Sequence, residues 1–286
     1  MTFLVLGLIG ALTLVFALFY FIDFYQNRKN LSKASWLSLL GIGFITNFFD
    51  TLGIGSFAPT TSFYKLFNLV EDRVIPGTLN VGHTLPVVVQ AFIFITVVKV
   101  EPITLISMMV AASTGAVAGA GVVSKLPIKK VRIGMSIALF LVALAMVAGL
   151  LKWYPSGGDA TGLPPAKLFF AAAVNFLLGS LQTIGIGFYA PCMALVYSLG
   201  MSAKVAFPIM MGSCALLMPA AGLGFVKEGA YDKKAAMGLT LLGVIGVLIA
   251  AFVVVSLPLK ELKWVVVGVI LYTSAIMARS AFRMKK

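Results

Sequence analysis

The feature that most constrains this chain is its series of apolar runs, each about 20 residues long, separated by short stretches that carry most of the charge. That is the length a helix needs to span the hydrocarbon core of a bilayer. Charged residues make up only 11% of the 286 residues, whereas a water-soluble domain contains about 25%. The charge is too sparse to coat a soluble surface. The sequence therefore predicts an all-α, polytopic membrane protein with a single transmembrane domain over residues 1–286.

Seven of the apolar runs have the length of a complete span. The first has no charged leading segment and no small-residue cleavage site, which favours a retained span over a signal peptide. Two further stretches, 36–69 and 168–200, are too long for one span and are interrupted by glycine. The predicted full spans are 2–24, 77–98, 103–123, 133–151, 204–226, 235–257 and 264–282.

The two interrupted stretches contain related segments. Thr-Leu-Gly-Ile-Gly-Ser-Phe-Ala-Pro begins at Thr51 and Thr-Ile-Gly-Ile-Gly-Phe-Tyr-Ala-Pro begins at Thr183, so six of nine positions are identical at an offset of 132 (183 − 51 = 132). Leu-Pro-Ile-Lys at 126–129 and Leu-Pro-Leu-Lys at 257–260 match at an offset of 131. Matches that stay in register over such a distance indicate an internal duplication. We predict an extra span and loop in 1–35, repeat one over 36–151 and repeat two over 168–282.

Basic residues predict the orientation of the chain, because lysine and arginine are enriched in cytoplasmic loops. Arg28, Lys29 and Lys33 mark one loop, and the 125–132 loop carries four basic residues. Both loops are cytoplasmic only if the 36–69 stretch enters and leaves on one side as a helical hairpin. Three further crossings per repeat then invert repeat two and put the 260–263 loop outside. The N-terminus is predicted outside and the C-terminus in the cytoplasm. The sequence leaves open whether the two hairpins re-enter or cross fully.

The glycine segments are the predicted substrate site. Each hairpin should contain a short second helix that begins near Pro59 or Pro191, since proline suits a first turn. These helices should end at Asn68 or Gly200, which tolerate the left-handed terminal position. The N-terminal end of such a helix has free N–H groups and positive partial charge, and therefore binds anions. Alternatively, the glycines only permit close helix packing. The candidate substrate-binding residues are Thr51, Gly53, Gly55, Ser56, Thr183, Gly185, Gly187 and Tyr189.

Three polar residues in apolar sequence are candidates for binding a coupling ion. Asp50 directly precedes the first glycine segment, where repeat two has the neutral Gln182. A carboxylate inside a membrane is costly and indicates function, here as a proton or sodium carrier, unless it caps a helix or pairs with a basic residue. His83, the only histidine, lies one turn past Asn80. It could relay a proton, or it could be a neutral interior histidine.

In these segments the chain resembles the sulfite exporter TauE/SafE family of membrane permeases. The resemblance rests on both glycine segments, on Pro59 and Pro191 four residues past the second glycines, and on the Pro-Ile-Lys and Pro-Leu-Lys turns. The resemblance covers nearly the whole chain. It implies transport of sulfite, sulfonates or related small organosulfur anions across a bacterial cytoplasmic, or inner, membrane. Many members carry three consecutive glycines in the first segment, where this chain has Gly53-Ile54-Gly55-Ser56. That departure bears on the substrate more than on the fold.

The function expected from these features is secondary transport of a small anion by alternating access between two inverted repeats. The alternatives are a permease for another small anion, such as a carboxylate, and a membrane scaffold subunit that transports nothing. No phosphate-binding Gly-x-x-x-x-Gly-Lys sequence, Ser/His/Asp set or metal-ligand spacing is present, so enzymatic activity, a cofactor and a metal are not expected. The formal net charge of +13 lies in short loops, which favours membrane orientation over nucleic-acid binding. The expected partners are the bilayer, the anion and a proton or sodium ion, and the oligomeric state stays open.

Overall fold

The structure is a computed structural model that describes residues 2–123, 125–153, 158–185, 187–252 and 259–283. In these ranges the regular secondary structure is helical, apart from one isolated bridge between Ala160 and Met201. The all-α prediction is therefore confirmed for the described residues. The helices are α1 (Thr2–Gln26), α2 (Trp36–Thr51), α3 (Phe57–Leu66), α4 (Ile75–Gly82), α5 (Thr84–Val97), α6 (Pro102–Val123), α7 (Ile128–Leu150), α8 (Pro165–Gln182), α9 (Tyr189–Ser198), α10 (Ala203–Lys227), α11 (Lys233–Phe252) and α12 (Leu259–Arg283).

Five helices in the described part of the chain, α1, α6, α7, α10 and α11, are long and apolar enough to cross a membrane. A sixth span results if α4 and α5, which meet at His83 with a bend of 42°, are counted together. These six coincide with predicted spans. The seventh predicted span, 264–282, lies within α12, of whose side chains the structure describes only a part.

The surface and the interior have the polarity expected of a protein in lipid. Large apolar side chains point outward: Phe3 is 90% exposed, Leu37 82% and Phe169 79%. Water would disfavour this arrangement, because each buried aromatic or aliphatic side chain is worth about 1.5–3 kcal/mol there. The interior holds polar side chains that would normally seek water, and these include Asn47, Asp50, Thr60, His83, Gln90 and Asn175. The fold is that of a helical membrane protein.

Both interrupted stretches form the predicted helix–turn–helix hairpins. Hairpin one consists of α2 and α3, and hairpin two consists of α8 and α9, with ten residues in each short second helix. These helices begin two residues earlier than predicted, at Phe57 and Tyr189. Proline fits the first turn at more than one position, because the leading N–H groups have no partner there. Asn68 has φ 50° and Gly200 has φ 87°, which confirms the left-handed position after each helix.

Two segments predicted as charged loops are mostly helical instead. α7 begins at Ile128 and α12 at Leu259, so the second half of 125–132 and all of 260–263 lie in first helical turns. Pro127 occupies the position before α7, where its missing N–H leaves nothing unsatisfied. Lysine and arginine are good helix formers, and their long side chains can reach the membrane interface from a helical turn. The Leu-Pro half of the second matching segment lies outside the described residues.

The helices pack in pairs that recur across the molecule. α2 packs along α11 and α8 along α6, while α7 packs on α12 and α5 on α10. Suppose that α2 corresponds to α8, α6 to α11 and α7 to α12. Exchanging corresponding helices then turns the α2–α11 pair into the α8–α6 pair and leaves the α7–α12 pair unchanged. α1 packs on α10 and α5 and has no counterpart in this matching.

Corresponding glycines set the two closest of these interfaces. A Cβ atom on Gly115 of α6 would collide with the carbonyl oxygen of Phe176 in α8. A Cβ atom on Gly246 of α11 would collide with the carbonyl oxygen of Phe44 in α2. The glycines lie 131 residues apart (246 − 115 = 131) and the phenylalanines 132 (176 − 44 = 132), which are the offsets of the sequence matches. Small residues let helix backbones approach closely in membranes, and here they do so at equivalent places.

Candidate functional site

Hairpin one reverses direction at a pair of left-handed glycines. α2 ends at Thr51, and the Gly53 N–H donates to the Asp50 carbonyl at 2.9 Å. Gly53 has φ 84° and Gly55 has φ 89°, a conformation that costs other L-residues about 1–2 kcal/mol. The glycines are therefore required by the backbone of the turn, which leads directly into α3.

Hairpin two repeats this turn. α8 ends at Gln182, and the Gly185 N–H donates to the Gln182 carbonyl at 2.9 Å. Gly185 has φ 97°. Both residues lie 132 positions after Gly53 and Asp50, so the two turns contain the same hydrogen bond at corresponding places. Ile186, in the middle of the second predicted segment, lies outside the described residues.

The two turns meet at a small buried cavity. Hairpin one contributes Asp50, Gly55 and Ser56, hairpin two contributes Gly187 and Tyr189, and α5 and α10 complete the wall. The cavity volume is about 20 Å³. That is room for about one water molecule, and an anion of several heavy atoms does not fit. The turns are therefore closed on each other in this structure.

The N-terminal ends of both short helices lie at this cavity. Phe57, the first residue of α3, and Tyr189, the first residue of α9, both belong to its wall. The leading N–H groups of a helix lack partners within it and carry positive partial charge. At α3 this end lies beside an acidic group, because Asp50 from the end of α2 and Ser56 at the start of α3 line the cavity together. The protein's own carboxyl group thus lies close to the electropositive end of α3.

A buried hydrogen-bond network joins the two hairpins through Gln90, in the middle of α5. The Gln90 amide nitrogen donates to the Asp50 carboxylate (Nε2 to Oδ2, 2.8 Å) and to the Thr51 hydroxyl (3.1 Å). The amide oxygen accepts from the Tyr189 hydroxyl at 2.7 Å. Asp50 is 2% exposed and Gln90 is fully buried, and hydrogen bonds shielded from water are stronger than exposed ones. The ion pairs in the described residues involve Asp23 and Asp72 but not Asp50.

His83 belongs to a second polar group, at the bend between α4 and α5. Its Nδ1 lies 2.9 Å from Asn47 Oδ1, and its Nε2 lies 3.1 Å from the Thr60 hydroxyl. The Asn47 amide nitrogen is already used on the Gly43 carbonyl at 2.7 Å, so its oxygen is the group that meets the ring. A neutral imidazole with its proton on Nδ1 satisfies both contacts. An imidazolium that donates from both nitrogens satisfies them as well, so both readings of His83 stay predictions.

The predicted site residues fall into two groups. Gly55, Ser56, Gly187 and Tyr189 line the small cavity, together with the predicted coupling residue Asp50. His83 and Asn80 do not belong to its wall. Asn80 donates to the Pro76 carbonyl at 2.9 Å, and its amide oxygen has no hydrogen-bond partner in the described part of the chain. A coupling role for these two residues stays a prediction.

The remaining four predicted residues shape the turns. The Thr51 hydroxyl donates to the Asn47 carbonyl at 2.9 Å, and the Thr183 hydroxyl donates to the Ser180 carbonyl at 2.6 Å. Threonine near a helix end commonly bonds the preceding turn in this way, because no water competes for the hydroxyl in an apolar interior. Gly53 and Gly185 supply the left-handed conformations. Direct substrate contact by these four stays a prediction.

A larger cavity of about 190 Å³ adjoins the turn of hairpin one. Gly53 and Ile54 line it from the turn, Ala190 and Met193 from α9, and Met146 from α7. The next residues of the turn, from Gly55 onward, line the small cavity. The turn of hairpin one therefore separates the two cavities.

The sequence patterns do not single out three side chains of the site, namely Gln90, Asn47 and Cys214. Each is a polar or polarizable side chain within an otherwise apolar helix, which is the criterion that selected His83. Applied evenly, that criterion would have selected Gln90. The sequence does not predict the partners of Gln90, because Asp50 and Tyr189 lie 40 and 99 positions away along the chain. Local patterns contain no information about such pairs.

One end of hairpin one is held by a charged cluster. The buried Asp72 carboxylate binds Lys65 Nζ and Arg132 Nε, each at 2.7 Å. The cluster ties the end of α3 to α7. At the positions 132 residues after Lys65 and Asp72, hairpin two has Tyr197 and Lys204. The same ion pairs are therefore chemically impossible there.

Comparison of the chain with models of protein families, with curated proteins and with solved structures found no match. Within the described residues, no group of three or more His, Cys, Asp or Glu side chains could hold a metal ion. Cys192 and Cys214 are both buried free thiols.

Proposed function

We propose that the protein is a secondary transporter of a small anion, of the sulfite and organosulfonate class that its resemblance to TauE/SafE permeases implies. One observation carries the proposal. Two helix N-termini, one from each hairpin, meet at a single buried cavity inside a helical membrane protein. Helix N-termini stabilise anions, and irregular backbone is tolerated at membrane depth where it lines a cavity. A membrane scaffold has no need of such an arrangement.

We infer that residues 36–151 and 168–282 are inverted repeats. The matched helix pairs support this, because exchanging the repeats reproduces the packing of α2 on α11 as that of α8 on α6. The equivalent collisions at Gly115 and Gly246 support it at the level of single residues. Many secondary transporters are built from such repeats and alternate access by rocking one against the other.

The two cavities fit one step of that cycle. The cavity between the turns is closed at about 20 Å³, and the neighbouring cavity of about 190 Å³ ends at Gly53. Movement of hairpin one relative to hairpin two would join them and admit an anion to both helix ends. In this proposal the structure corresponds to a closed state.

Coupling is assigned to Asp50. It is a buried carboxyl group at the closed cavity, within reach of the backbone groups that would bind the anion. A carboxyl group there can carry a proton or a sodium ion, and its negative charge would repel an anion unless neutralised. His83 and Asn80, one helix bend away, are proposed to influence this step.

The proposed orientation has the N-terminus outside and the C-terminus in the cytoplasm of the inner membrane. Single cysteines introduced into the 125–132 and 227–234 segments should be protected from an impermeant thiol reagent in intact cells. A cysteine at Asp159 should react. Labelling of the 125–132 segment from outside would contradict both the orientation and the inverted repeat.

The decisive experiment is flux through reconstituted protein. Liposomes that contain the protein should take up labelled sulfite or a simple sulfonate faster than empty liposomes, and an imposed pH gradient should drive accumulation. Uptake of a small carboxylate in preference to sulfur anions would favour the alternative of a carboxylate permease. Absence of uptake for all of these anions would favour the alternative of a membrane scaffold subunit that transports nothing.

A matched pair of variants tests the site itself. Gly55→Leu should abolish uptake, because a side chain cannot adopt φ 89° without strain and, although its Cβ atom would meet nothing within 4 Å, the rest of the leucine would fill the small cavity that Gly55 lines. Gly121→Leu is the control, because a Cβ atom at this exposed position of α6 meets nothing within 4 Å. Both proteins should insert and purify. Equal uptake by both variants would indicate that Gly55 serves packing alone.

A further inference from the structure

The network around Gln90 has the form of a latch between the hairpins. We propose that Gln90 is a positioning residue that keeps the two hairpins closed, by holding the Asp50 carboxylate at the N-terminal end of α3 and the Tyr189 hydroxyl at the start of α9. An anion can then bind only after this bridge opens. The inference rests on the proposed transport of an anion through the cavity between the turns.

The chemistry of its neighbours fixes the orientation of the Gln90 amide. While Asp50 is ionised, its oxygens only accept hydrogen bonds, so the amide nitrogen is the atom 2.8 Å from Asp50 Oδ2 in that state. Reversing the amide would put two oxygens at that distance. With the nitrogen there, its second N–H meets the Thr51 hydroxyl, and the amide oxygen receives the Tyr189 proton. Every hydrogen-bonding group of Gln90 that points at the hairpins is used.

The bridge acts where little else joins the hairpins. α2 packs along α11 and α3 on α12, whereas α8 packs along α6 and α9 on α7 and α10. Among the described helices, no helix of one hairpin packs extensively on a helix of the other. Both turns line the small cavity, and Gln90 connects them. Removing the bridge should therefore change how often the turns separate.

The bridge also opposes binding of an anion. Asp50 lines the cavity beside Ser56 at the N-terminal end of α3, which is where an anionic substrate would be stabilised. While Gln90 holds it there, the ionised carboxylate competes for this helix end and repels a second anion. Hydrogen bonds to an ionised group are about twice as strong as neutral ones. Opening the latch therefore has two effects: it frees the N-terminal end of α3 for the anion, and it enlarges the cavity.

Among the described residues, repeat two shows no equivalent bridge. There Gln182, at the position of Asp50, accepts a weak bond from the Cys214 thiol at 3.5 Å. The latch is therefore one-sided and depends on a single amide. Cys214 is buried and lines the cavity, which makes its thiol a built-in reporter of opening.

The experiment measures how fast Cys214 reacts with a small water-soluble maleimide in the purified full-length protein, with Cys192→Ala leaving one cysteine. Gln90→Met keeps the length of the side chain and removes its donors and acceptor. It should accelerate labelling roughly tenfold or more. Asp50→Asn should have a smaller effect, since its amide oxygen still accepts without charge. The double variant should label no faster than Gln90→Met, because both changes act on one bridge.

A second reporter separates a latch from general loosening. Ile9→Cys, in a chain without the two native cysteines, puts a thiol on the buried face of α1, outside both hairpins. Its labelling should not change in Gln90→Met. Equal acceleration at both reporters, or no acceleration at Cys214, would overturn the latch.

The outcome for the latch is independent of the outcome for transport, because labelling needs no substrate. Normal sulfite flux with unchanged Cys214 labelling would remove the latch and leave the proposed function. Faster Cys214 labelling in a protein that transports no anion would keep the latch and remove the proposed function.

Discussion

After Pro59, hairpin one continues with two threonines and a serine, all fully buried, whereas hairpin two continues after Pro191 with cysteine, methionine and alanine. The residues just before the turns differ in charge, with the acidic Asp50 in one hairpin and the neutral Gln182 in the other. The backbones of the turns, in contrast, are similar. Each turn has a left-handed glycine whose N–H donates at 2.9 Å to the carbonyl three residues before it. In their described residues, the two hairpins share the first glycine of the turn and its hydrogen bond and differ in side-chain chemistry.

The difference indicates what each property is for. The turn and the packing of the first helix are needed twice, because each repeat must build one wall of the same cavity. A carboxylate is needed once, since a second one at position 182 would put two like charges across that cavity and raise the cost of burying either. In the proposed transporter, binding is shared by the repeats and coupling belongs to hairpin one.

Asp50→Asn should produce the largest effect. We expect complete loss of accumulation driven by a pH gradient, because the only carboxyl group at the cavity wall is removed. Binding of the anion should survive, since the backbone donors remain. The measurement is accumulation of labelled sulfite by reconstituted protein with and without the gradient. Gln182→Asn, at the corresponding position of hairpin two, should keep gradient-driven accumulation. Unchanged accumulation in Asp50→Asn would contradict the division of roles.

Gly115→Val and Gly246→Val should be the next most severe, and equally so. In each case the new side chain would meet a backbone carbonyl of the hairpin helix packed against it. Overpacking against backbone should destabilise the protein by about 3 kcal/mol or more. Thermal unfolding in detergent measures this, with Gly121→Val as the control in open space. A large difference between the two variants would break the equivalence of the repeats.

Asp72→Asn tests the charged cluster that only hairpin one has. It leaves Lys65 and Arg132 without their buried counter-charge, and we expect a loss of about 1–3 kcal/mol, between the values for exposed and buried ion pairs. Lys167→Met is the matched change in hairpin two, where an exposed lysine of α8 donates to the Leu199 carbonyl. Its effect on the unfolding temperature should be much smaller. Similar shifts for both variants would show that the hairpins are anchored alike.

Gly53→Ala and Gly185→Ala compare the turns directly and should give the smallest effects. Each requires a side chain at a positive φ, which should cost about 1–2 kcal/mol. A Cβ atom at Gly53 would lie 3.5 Å from Met193, and one at Gly185 would lie 3.2 Å from Met135. Methionine is flexible enough to yield at either place. The two losses in unfolding free energy should therefore agree within about 1 kcal/mol, and a larger gap would mean that the turns are not equivalent.

The fold was largely predictable because its signals are local. The length of an apolar run predicts a span, and glycine, asparagine and proline impose backbone geometry within a few residues of themselves. The hairpins, their left-handed ends at Asn68 and Gly200, and the short helices were predicted on that basis. Boundaries were less accurate where charge suggested a loop, as at 260–263. A helical first turn tolerates charged residues at an interface as well as a loop does.

The sequence by itself determined that the chain enters lipid, that it contains two related hairpins and that Asp50 is an unusual residue. Only the tertiary structure decided what Asp50 contacts. The prediction allowed a basic partner or a helix cap; in the described residues no basic side chain pairs with Asp50, and Gln90 donates to its carboxylate. Gln90 reaches it from another helix and reaches Tyr189 in the other repeat. Such contacts depend on how α5 packs on α10 and α11 and reaches the two turns, and packing depends on the shapes of many side chains at once. No pattern within one segment specifies it.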